Sequence, residues 1–315
     1  MITKTSTLST ISTIAASALL LLACSDNSYT PPPPPSDANT LTVSVTDAPL
    51  DGVSKVIVQF AGIEIKHEDS EAQIIEFEAP LDVDLLGLQG DLRSTIMLEE
   101  KVNAGDYQYI RLLVNAALGE FDSVVLLEDN TWQSLYIPDD AKIGLKLNQA
   151  FHVSSNKNTH LTIDFDLRKS LEKDLAENDY QLIPNLRVVS DVEAGHIAGF
   201  IENQLLIDNS CVGVDSQTNA AVYLYNELAE GASPQDIQRN ELDPVSSANV
   251  EFNTDTGEYF YTLGFLLRDV PYSAQVVCDA SIDEPSTANA LSFIGPIQSV
   301  IPVETLTINL DFATQ

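Results

Sequence analysis

Two pairs of alternating aspartates are the first candidates for chemistry in this sequence. Asp164 and Asp166 lie in the stretch IDFD, and Asp82 and Asp84 lie in DVD. Because side chains alternate across a β-strand, both carboxylates of a pair point away from the apolar face. Such pairs could bind Ca²⁺ or act as acid and base. A solvated strand face is the simpler interpretation, and Asp164 and Asp166 are the metal candidates if a metal is bound.

Two other stretches match metal-binding motifs only in part. HEDSE (67–71) has the start of the zinc-protease pattern H-E-x-x-H, but Glu71 replaces the second histidine and the segment lies between strands. It is predicted to be a solvated hairpin turn. In FNTDTGEY (252–259), an EF-hand register with Gly257 at position six would put Phe252 first and Leu263 twelfth, and neither side chain binds calcium. This stretch is predicted to be a tight turn with Gly257 at positive φ.

Motifs for common enzyme chemistries do not occur in the chain. The sequence contains no G-x-S-x-G elbow, P-loop, G-x-G-x-x-G or C-x-x-C, so hydrolase, nucleotide and thiol-redox functions lack their usual anchors. We therefore predict a protein that is not an enzyme. Four aromatic residues could form a face for sugar rings or could equally be core and edge packing; they are Tyr107, Tyr109, Trp132 and Tyr136.

The elements that would position these residues are mainly strands. Apolar and polar residues alternate with a period of two from Leu41, and further apolar runs are separated by Gly, Asn, Asp and Pro. The predicted strands include 41–46, 56–60, 63–65, 109–114, 123–128, 150–155 and 161–166. One helix is predicted over 167–177, with Asp166 as its cap. Many short strands with few helices indicate antiparallel sandwiches or partly closed barrels.

Charge excludes one class of partner. The chain of 315 residues has 47 acidic and 15 basic residues, a formal net charge of -32. Such a charge repels phosphate backbones and anionic head groups, so no nucleic-acid partner is expected. Solubility, or life in a salty medium, explains the acidity more simply than a site for a cationic partner.

The N-terminus is typical of an exported protein. One lysine, a Ser/Thr-rich start and an apolar stretch from Ile14 to Leu22 precede Ala23 and Cys24. About nine apolar residues are too few to span a bilayer, which needs about twenty, but they suit an export signal. LLAC (21–24) resembles the lipobox of bacterial lipoproteins, which implies that Cys24 is lipidated and begins the mature chain. By the same resemblance, Ser25 favours the outer membrane.

The other two cysteines are predicted to pair. Cys211 and Cys278 are the only cysteines besides Cys24, and exported proteins mature in an oxidising compartment. We predict one disulfide between them. Before that region, residues 25–40 are polar and contain five consecutive prolines, which favour an extended stalk of about 15 Å in the polyproline II conformation.

Two parts of the chain resemble known families. The first is similar to the domain of unknown function 4382, found in exported bacterial proteins, through blocks in VSVTDAPLDGVSKVIVQFAGIEI (43–65), VDLLGLQG (83–90), VNAGDYQYIRLLV (102–114), IGLKLNQAF (143–151), LTIDFDLRKSL (161–171) and YQLIPNLRVV (180–189). The second resembles the carboxypeptidase regulatory-like, transthyretin-like β-sandwich through GHIAGFI (195–201), AAVYLY (220–225), TDTGEYFYTL (254–263) and PYSAQVV (271–277).

The predicted organisation is therefore all-β, with two antiparallel, Ig-like or transthyretin-like sandwiches. Residues 1–23 are the signal, 24–40 the lipidated proline-rich linker, 41–190 the first domain and 195–315 the second. We expect an outer-membrane lipoprotein on the periplasmic or surface face, with a noncatalytic binding or structural role. Its expected partners are the membrane through Cys24 and an envelope protein or glycan. No cofactor is expected in this role. The first alternative is a calcium-dependent adhesion module, which would bind Ca²⁺, and the less favoured one is an envelope hydrolase.

Overall fold

The structure of the protein is a computed structural model that describes residues 38–139, 145–213, 216–303 and 307–314. The predicted signal (residues 1–23), Cys24 and the linker up to residue 37 lie outside the described residues. The strands of the first half are β1 (Thr40–Ala48), β2 (Val53–His67), β3 (Gln73–Asp84), β4 (Ser94–Lys101), β5 (Gly105–Asn115), β6 (Val124–Leu127), β7 (Trp132–Tyr136), β8 (Lys146–Leu147), β9 (Phe151–Val153), β10 (Asn158–Asp166), β11 (Leu171–Asp174), β12 (Asp179–Leu182) and β13 (Leu186–Ser190).

The second half has two four-stranded sheets and contains the longer of the two short α-helices in the described part of the chain. Its strands are β14 (Ala194–Ile201), β15 (Ala221–Asn226), β16 (Ser246–Asn249), β17 (Glu251–Asn253), β18 (Glu258–Leu267), β19 (Tyr272–Val277), β20 (Phe293–Val300) and β21 (Thr307–Asn309). The helices are α1 (Leu167–Ser170) and α2 (Asn203–Asp208). Neither helix in the described part of the chain has the length and apolar character needed to cross a membrane.

The first sandwich packs a four-stranded sheet on a nine-stranded one. The small sheet has the order β13-β10-β1-β4, and the large sheet the order β11-β12-β7-β6-β2-β5-β8, with β3 beside β2 and β9 beside β5. Alternate residues of each sheet meet in one core, such as Val43 of β1 and Val58 of β2. The period-two pattern thus places every second residue of these strands in the core.

The second sandwich is smaller and has its own core. The sheet β17-β18-β14-β21 faces the sheet β16-β15-β19-β20. Ile197 and Tyr261 from the first sheet pack with Val222 and Ala274 from the other. The prediction of an all-β fold with β-sandwiches is confirmed.

Three strand pairs depart from the predicted antiparallel arrangement. β1 pairs with β10, β7 with β12, and β14 with β21, all in parallel. Parallel neighbours cannot be joined by a tight hairpin, and their connection must cross over. The chain between β1 and β10 builds most of the large sheet before it returns, so local sequence patterns carry no sign of this pairing.

The predicted helix over 167–177 is wrong beyond its first turn. α1 ends at Ser170, and the chain continues as β11, which pairs with β12 in a hairpin. The cap is as expected, because the Asp166 carboxylate accepts a hydrogen bond from the Lys169 N–H at 3.3 Å. Leu175 is 86% exposed, so the apolar spacing that suggested a longer helix does not mark a buried face. Strand pairing overrides weak helix propensity here.

β2 joins two predicted strands, 56–60 and 63–65, through a bulge. Its register with β3 and β5 shifts between Phe60 and Gly62. A Cβ atom at Gly62 would lie 2.5 Å from the carbonyl oxygen of Ile75. Glycine is therefore required where the two backbones approach, and the bulge bends the long strand around the core.

The two cores lie on either side of a short connection. β13 leads through a 3-10 turn, Asp191–Glu193, directly into β14. Residues 35–315 nevertheless form one compact unit. A Cβ atom at Gly264 of β18 would lie only 1.9 Å from the carbonyl oxygen of Gly90, in the first half of the chain. The division into domains at 190–195 stays a prediction.

Candidate functional site

The candidate site is a cavity of about 630 Å³ in the described part of the chain. It lies beside β9 and β10 and extends to β13 and the 3-10 turn that follows it. Val188, Leu161 and Phe151 supply apolar wall, while polar side chains surround them. This size and this mixture of surfaces are typical of small-ligand sites. We call it the β9–β10 cavity.

Phe151 gives the β9–β10 cavity a rigid aromatic wall. One face of its ring stacks on Tyr107, with centroids 4.9 Å apart and an interplanar angle of 10°. The His67 ring meets Tyr107 edge-on at 5.0 Å. The Tyr107 hydroxyl donates to the carbonyl oxygen of Asn103 at 2.9 Å. The three rings fix one another, so Phe151 is held in place before any ligand arrives.

A chain of polar groups lies against the cavity at His160. Ser44 Oγ is 2.9 Å from His160 Nε2, and Asp191 Oδ2 is 3.1 Å from His160 Nδ1. The parallel pairing of β1 and β10 puts Thr42 opposite His160 and so brings the Ser44 side chain within reach of the ring. Both ring nitrogens of His160 therefore have partners.

Arg93 neutralises the acid at the end of this chain. Its Nη1 donates to both carboxylate oxygens of Asp191 at 2.7 Å and to Thr162 Oγ1 at 3.1 Å. Burial lowers the pKa of His160; Arg93 acts in the same direction and Asp191 opposes it. This balance favours the neutral imidazole. Through Ser44 and Asp191, the His160 side chain links β1 and β10 to the connection between the two cores.

The order serine–histidine–aspartate matches the triad of acyl-transfer enzymes, but its surroundings do not. A triad serine must reach a substrate carbonyl with its oxygen. Ser44 is 0% exposed, and its Oγ also lies 3.1 Å from Thr95 Oγ1. The hydroxyl is covered on the outer face of the small sheet, so the three residues form a structural chain that reaches the cavity wall at His160 and Asp191.

The rim of the β9–β10 cavity carries charges of both signs. His152 Nδ1 lies 2.7 Å from Asp106 Oδ1, and both side chains are largely exposed. Lys157 and Glu193 also line the cavity and are exposed. Hydrogen-bond donors and acceptors therefore stand side by side around the opening.

The predicted solvent exposure of Asp164 and Asp166 is wrong. They are 5% and 6% exposed. Asp164 Oδ2 lies 2.6 Å from the Arg187 guanidinium, and Asp166 Oδ2 lies 2.7 Å from Lys169 Nζ. Arg187 also donates to the carbonyl oxygen of Gly264 at 3.2 Å. The second sandwich covers this end of the sheet face, which a single strand's alternation cannot reveal.

These contacts oppose a metal at the aspartates. Burial raises the pKa of Asp164, with Arg187 acting against it, and each carboxylate already has a cation. The described residues contain no group of three His, Cys, Asp or Glu side chains able to hold a metal ion. Asp82 and Asp84 are occupied as well, since Gln59 Nε2 donates to Asp82 at 2.8 Å and Lys55 Nζ donates to Asp84 at 3.0 Å.

The two partial motifs form turns. His67 ends β2, and the chain turns through residues 68–70 toward β3. The Nδ1 atom of His67 accepts a hydrogen bond from the Asp69 N–H at 3.1 Å. Gly257 has φ +75° between β17 and β18, and Asn253 Oδ1 accepts from the Asp255 N–H at 2.9 Å. Both predicted turns are confirmed.

The four predicted aromatic residues do not form one face. Tyr107 and Tyr109 are on β5, whereas Trp132 and Tyr136 are on β7, and β2 and β6 lie between these strands. Tyr107 is buried in the core, and Lys146 Nζ lies 3.8 Å from the Tyr109 ring centroid. The aromatic residue that lines the cavity is Phe151.

Cys211 and Cys278 lie at disulfide distance, with Cα atoms 5.0 Å apart. Both side chains are buried beside the second core. Cys24, the predicted lipidation site, is outside the described residues. The bond between Cys211 and Cys278 would connect the turn after α2 to the end of β19.

Ser44, His160, Asp191 and Phe151 were not predicted as site residues from the sequence. Ser44 and His160 sit on the polar side of alternating strands, which reads as solvated surface. A faint signal existed: β1 alternates Thr42, Ser44 and Thr46 with valines and leucine, and such uncharged polar side chains suit a covered face better than an exposed one. Asp191 has no local pattern that marks it.

Comparisons with known proteins add one finding. No curated protein and no solved structure showed a significant match to the chain. Residues 38–184, which contain the first sandwich up to β12, match a family model described as "Domain of unknown function (DUF4382)". This part of the chain is therefore similar to the family known as domain of unknown function 4382.

Proposed function

We propose that the protein is a noncatalytic lipoprotein of the cell envelope whose β9–β10 cavity binds a ligand. The observation that carries the proposal is the cavity itself: about 630 Å³ with a fixed aromatic wall and a rim of mixed charge. Binding sites need such prearranged surfaces, because a ligand then orders few side chains on arrival.

The burial of Ser44 supports binding rather than turnover. A hydrolase is the second candidate because Ser44, His160 and Asp191 stand in triad order. We expect a serine-reactive fluorophosphonate probe to leave the native full chain unlabelled, since the Ser44 hydroxyl is covered. Labelling that disappears in Ser44→Ala but persists in Ser134→Ala, an equally buried serine, would establish the hydrolase and overturn the proposal.

Binding in the cavity has a direct readout in the histidines. His152 and His160 line the cavity, and His196 does not. With ¹³C-labelled imidazoles, a small-molecule fraction of envelope extract should shift the NMR signals of His152 and His160 and leave His196 unchanged. The proposal fails if extracts from several growth conditions move neither cavity signal.

The envelope location rests on the sequence. LLAC (21–24) resembles a lipobox, and a proline-rich stretch separates Cys24 from the sandwiches. Several acyl chains hold a protein at a membrane durably, because each buried methylene contributes about 0.8 kcal/mol. The native protein should be found in the outer-membrane fraction of the membrane pellet. Cys24→Ser should move it to the soluble fraction. A variant that stays in the pellet contradicts the anchor.

We assign the second sandwich, residues 195–315, to the carboxypeptidase regulatory-like class. Its sequence blocks and its two facing four-stranded sheets support this assignment. We propose a structural role for the second sandwich: it covers one end of the first sandwich and holds the 3-10 turn between β13 and β14 next to the cavity.

A further inference from the structure

We propose that the β9–β10 cavity binds the end of a neutral glycan. The inference rests on the proposed function and names its ligand class. It follows from three properties of the described cavity: a rigid aromatic wall, a rim that both donates and accepts hydrogen bonds, and the charge of the protein around it.

The aromatic wall suits the apolar face of a sugar ring. Pyranose rings carry C–H bonds on one side, and that side leaves water favourably when it packs on an aromatic ring. Tyr107 covers one face of Phe151, and Phe151 also lines the cavity. Phe151 is only half-buried, so a part of it that Tyr107 does not cover remains accessible at the cavity. Because Tyr107, which itself packs against His67, holds the Phe151 ring, little side-chain entropy is lost on binding.

The rim suits hydroxyl groups. Each sugar hydroxyl donates one hydrogen bond and accepts others, so its site needs neighbouring donors and acceptors. Asp106 and Glu193 offer acceptors, Lys157 offers donors, and His152 stands 2.7 Å from Asp106. A purely apolar ligand would use none of these groups, whereas a ligand with several hydroxyl groups can bond to all of them.

The charge of the protein selects neutral over acidic sugars. The net charge is -32, and the rim adds no surplus of cations because Lys157 is offset by Glu193 and Asp106. A polyanionic saccharide would meet repulsion from the whole surface. A neutral chain does not, and the cavity volume is within the usual range for sites that enclose a small ligand.

The test uses the full chain in detergent and four defined probes. Cellotetraose, mannotetraose and chitotetraose are the neutral probes, and an alginate tetrasaccharide is the anionic one, with affinities measured by calorimetry. We expect at least one neutral probe to bind and the alginate probe to bind at least tenfold more weakly. Phe151→Leu, which keeps an apolar side chain without the ring, should weaken that binding at least tenfold.

Two further variants make the test specific. Phe200→Leu is the matched control, because Phe200 is an exposed phenylalanine on β14 outside the cavity, and it should bind as the native chain does. His152→Gln alters only the exposed rim and should weaken binding severalfold without affecting folding.

The outcomes separate the glycan inference from the proposed function. Absence of binding by all three neutral probes, stronger binding of the alginate probe, or unchanged affinity in Phe151→Leu overturns the glycan inference. If the histidine signals of the cavity still respond to an envelope fraction free of sugars, the binding function stands and only the ligand class is wrong.

Discussion

His160 shows how the setting of one residue decides its role. Its Nε2 lies near Ser44 and its Nδ1 near Asp191, so it has no free nitrogen with which to bind a metal or take a proton from a substrate. Histidine in such a position works as a neutral bridge. Its protonation would make Nε2 a donor, so that the Ser44 hydroxyl could no longer donate to it, and would place a second cation beside Arg93.

This predicts a pH dependence of stability. Burial lowers the pKa of His160 below its ordinary value of 6.5, so below about pH 6.5 the unfolded chain takes up a proton that the folded chain resists. The free energy of unfolding should therefore decrease, and the protein become less stable, as the pH drops from 7.5 to 5.5. His160→Gln, whose amide can still bridge Ser44 and Asp191, should show a shallower fall in urea denaturation.

His196 provides the comparison for that measurement. Burial lowers its pKa as well, so His196→Gln should reduce the fall too, and the double variant should reduce it further. Parallel stability curves for the native chain and for His160→Gln would contradict the assignment of His160 as a buried neutral bridge.

At the scale of elements, α2 and β19 are brought together at the cysteine pair. Cys211 follows the turn after α2, and Cys278 follows β19, 67 residues later in the chain. The N–H of Cys211 donates to the carbonyl oxygen of Leu206 at 2.9 Å, so the segment is ordered by backbone contacts as well. A covalent link here would mainly restrict the unfolded chain.

The second prediction follows from that restriction. Closing a loop of this length stabilises by about 4 kcal/mol in the chain-entropy model. The mature protein should gain the mass of two hydrogens on reduction, and the double variant Cys211→Ser, Cys278→Ser should be less stable by about that amount and insensitive to reductant. Two thiols that react with alkylating agents in the native, unreduced protein would rule out the bond.

At the scale of the whole molecule, Arg168 connects the two halves. It lies on α1 and is almost completely buried. Its Nη2 donates to Asp51 at 3.0 Å and to Asn249 at 2.7 Å, and its Nη1 donates to the carbonyl oxygen of Ala280 at 2.5 Å. One guanidinium therefore joins groups from both sandwiches, and removal of its charge leaves their acceptors without a donor.

The third prediction concerns this contact. Arg168→Met should lower the free energy of unfolding by about 3 kcal/mol, within the range for breaking a buried ion pair, and should separate the unfolding of the two sandwiches into two calorimetric transitions. Arg268→Met is the matched control, because Arg268 is more exposed and its one ion pair within the described ranges is with neighbouring Asp269 at 3.6 Å. Its effect should stay within about 0.5 kcal/mol. A single transition with native stability in Arg168→Met would show that the halves are held together by other contacts.

The sequence by itself determined the features that depend on near neighbours. The alternation of apolar and polar residues predicted the strands, Asp166 predicted a helix cap, and Gly257 predicted a tight turn. Strand faces, helix caps and turns are set by residues only a few positions apart. The all-β class followed from these local patterns. The helix over 167–177 failed where the pairing of β11 with β12 decided the conformation.

Only the tertiary structure decided the contents of the cavity and the fate of the carboxylates. Ser44 meets His160 because β1 and β10 pair in parallel, although 116 residues separate them. Asp164 and Asp166 are buried because the second sandwich and the cations Arg187 and Lys169 close over a face that alternation marks as polar. Contacts between distant segments depend on how whole sheets pack, and no local spacing encodes them.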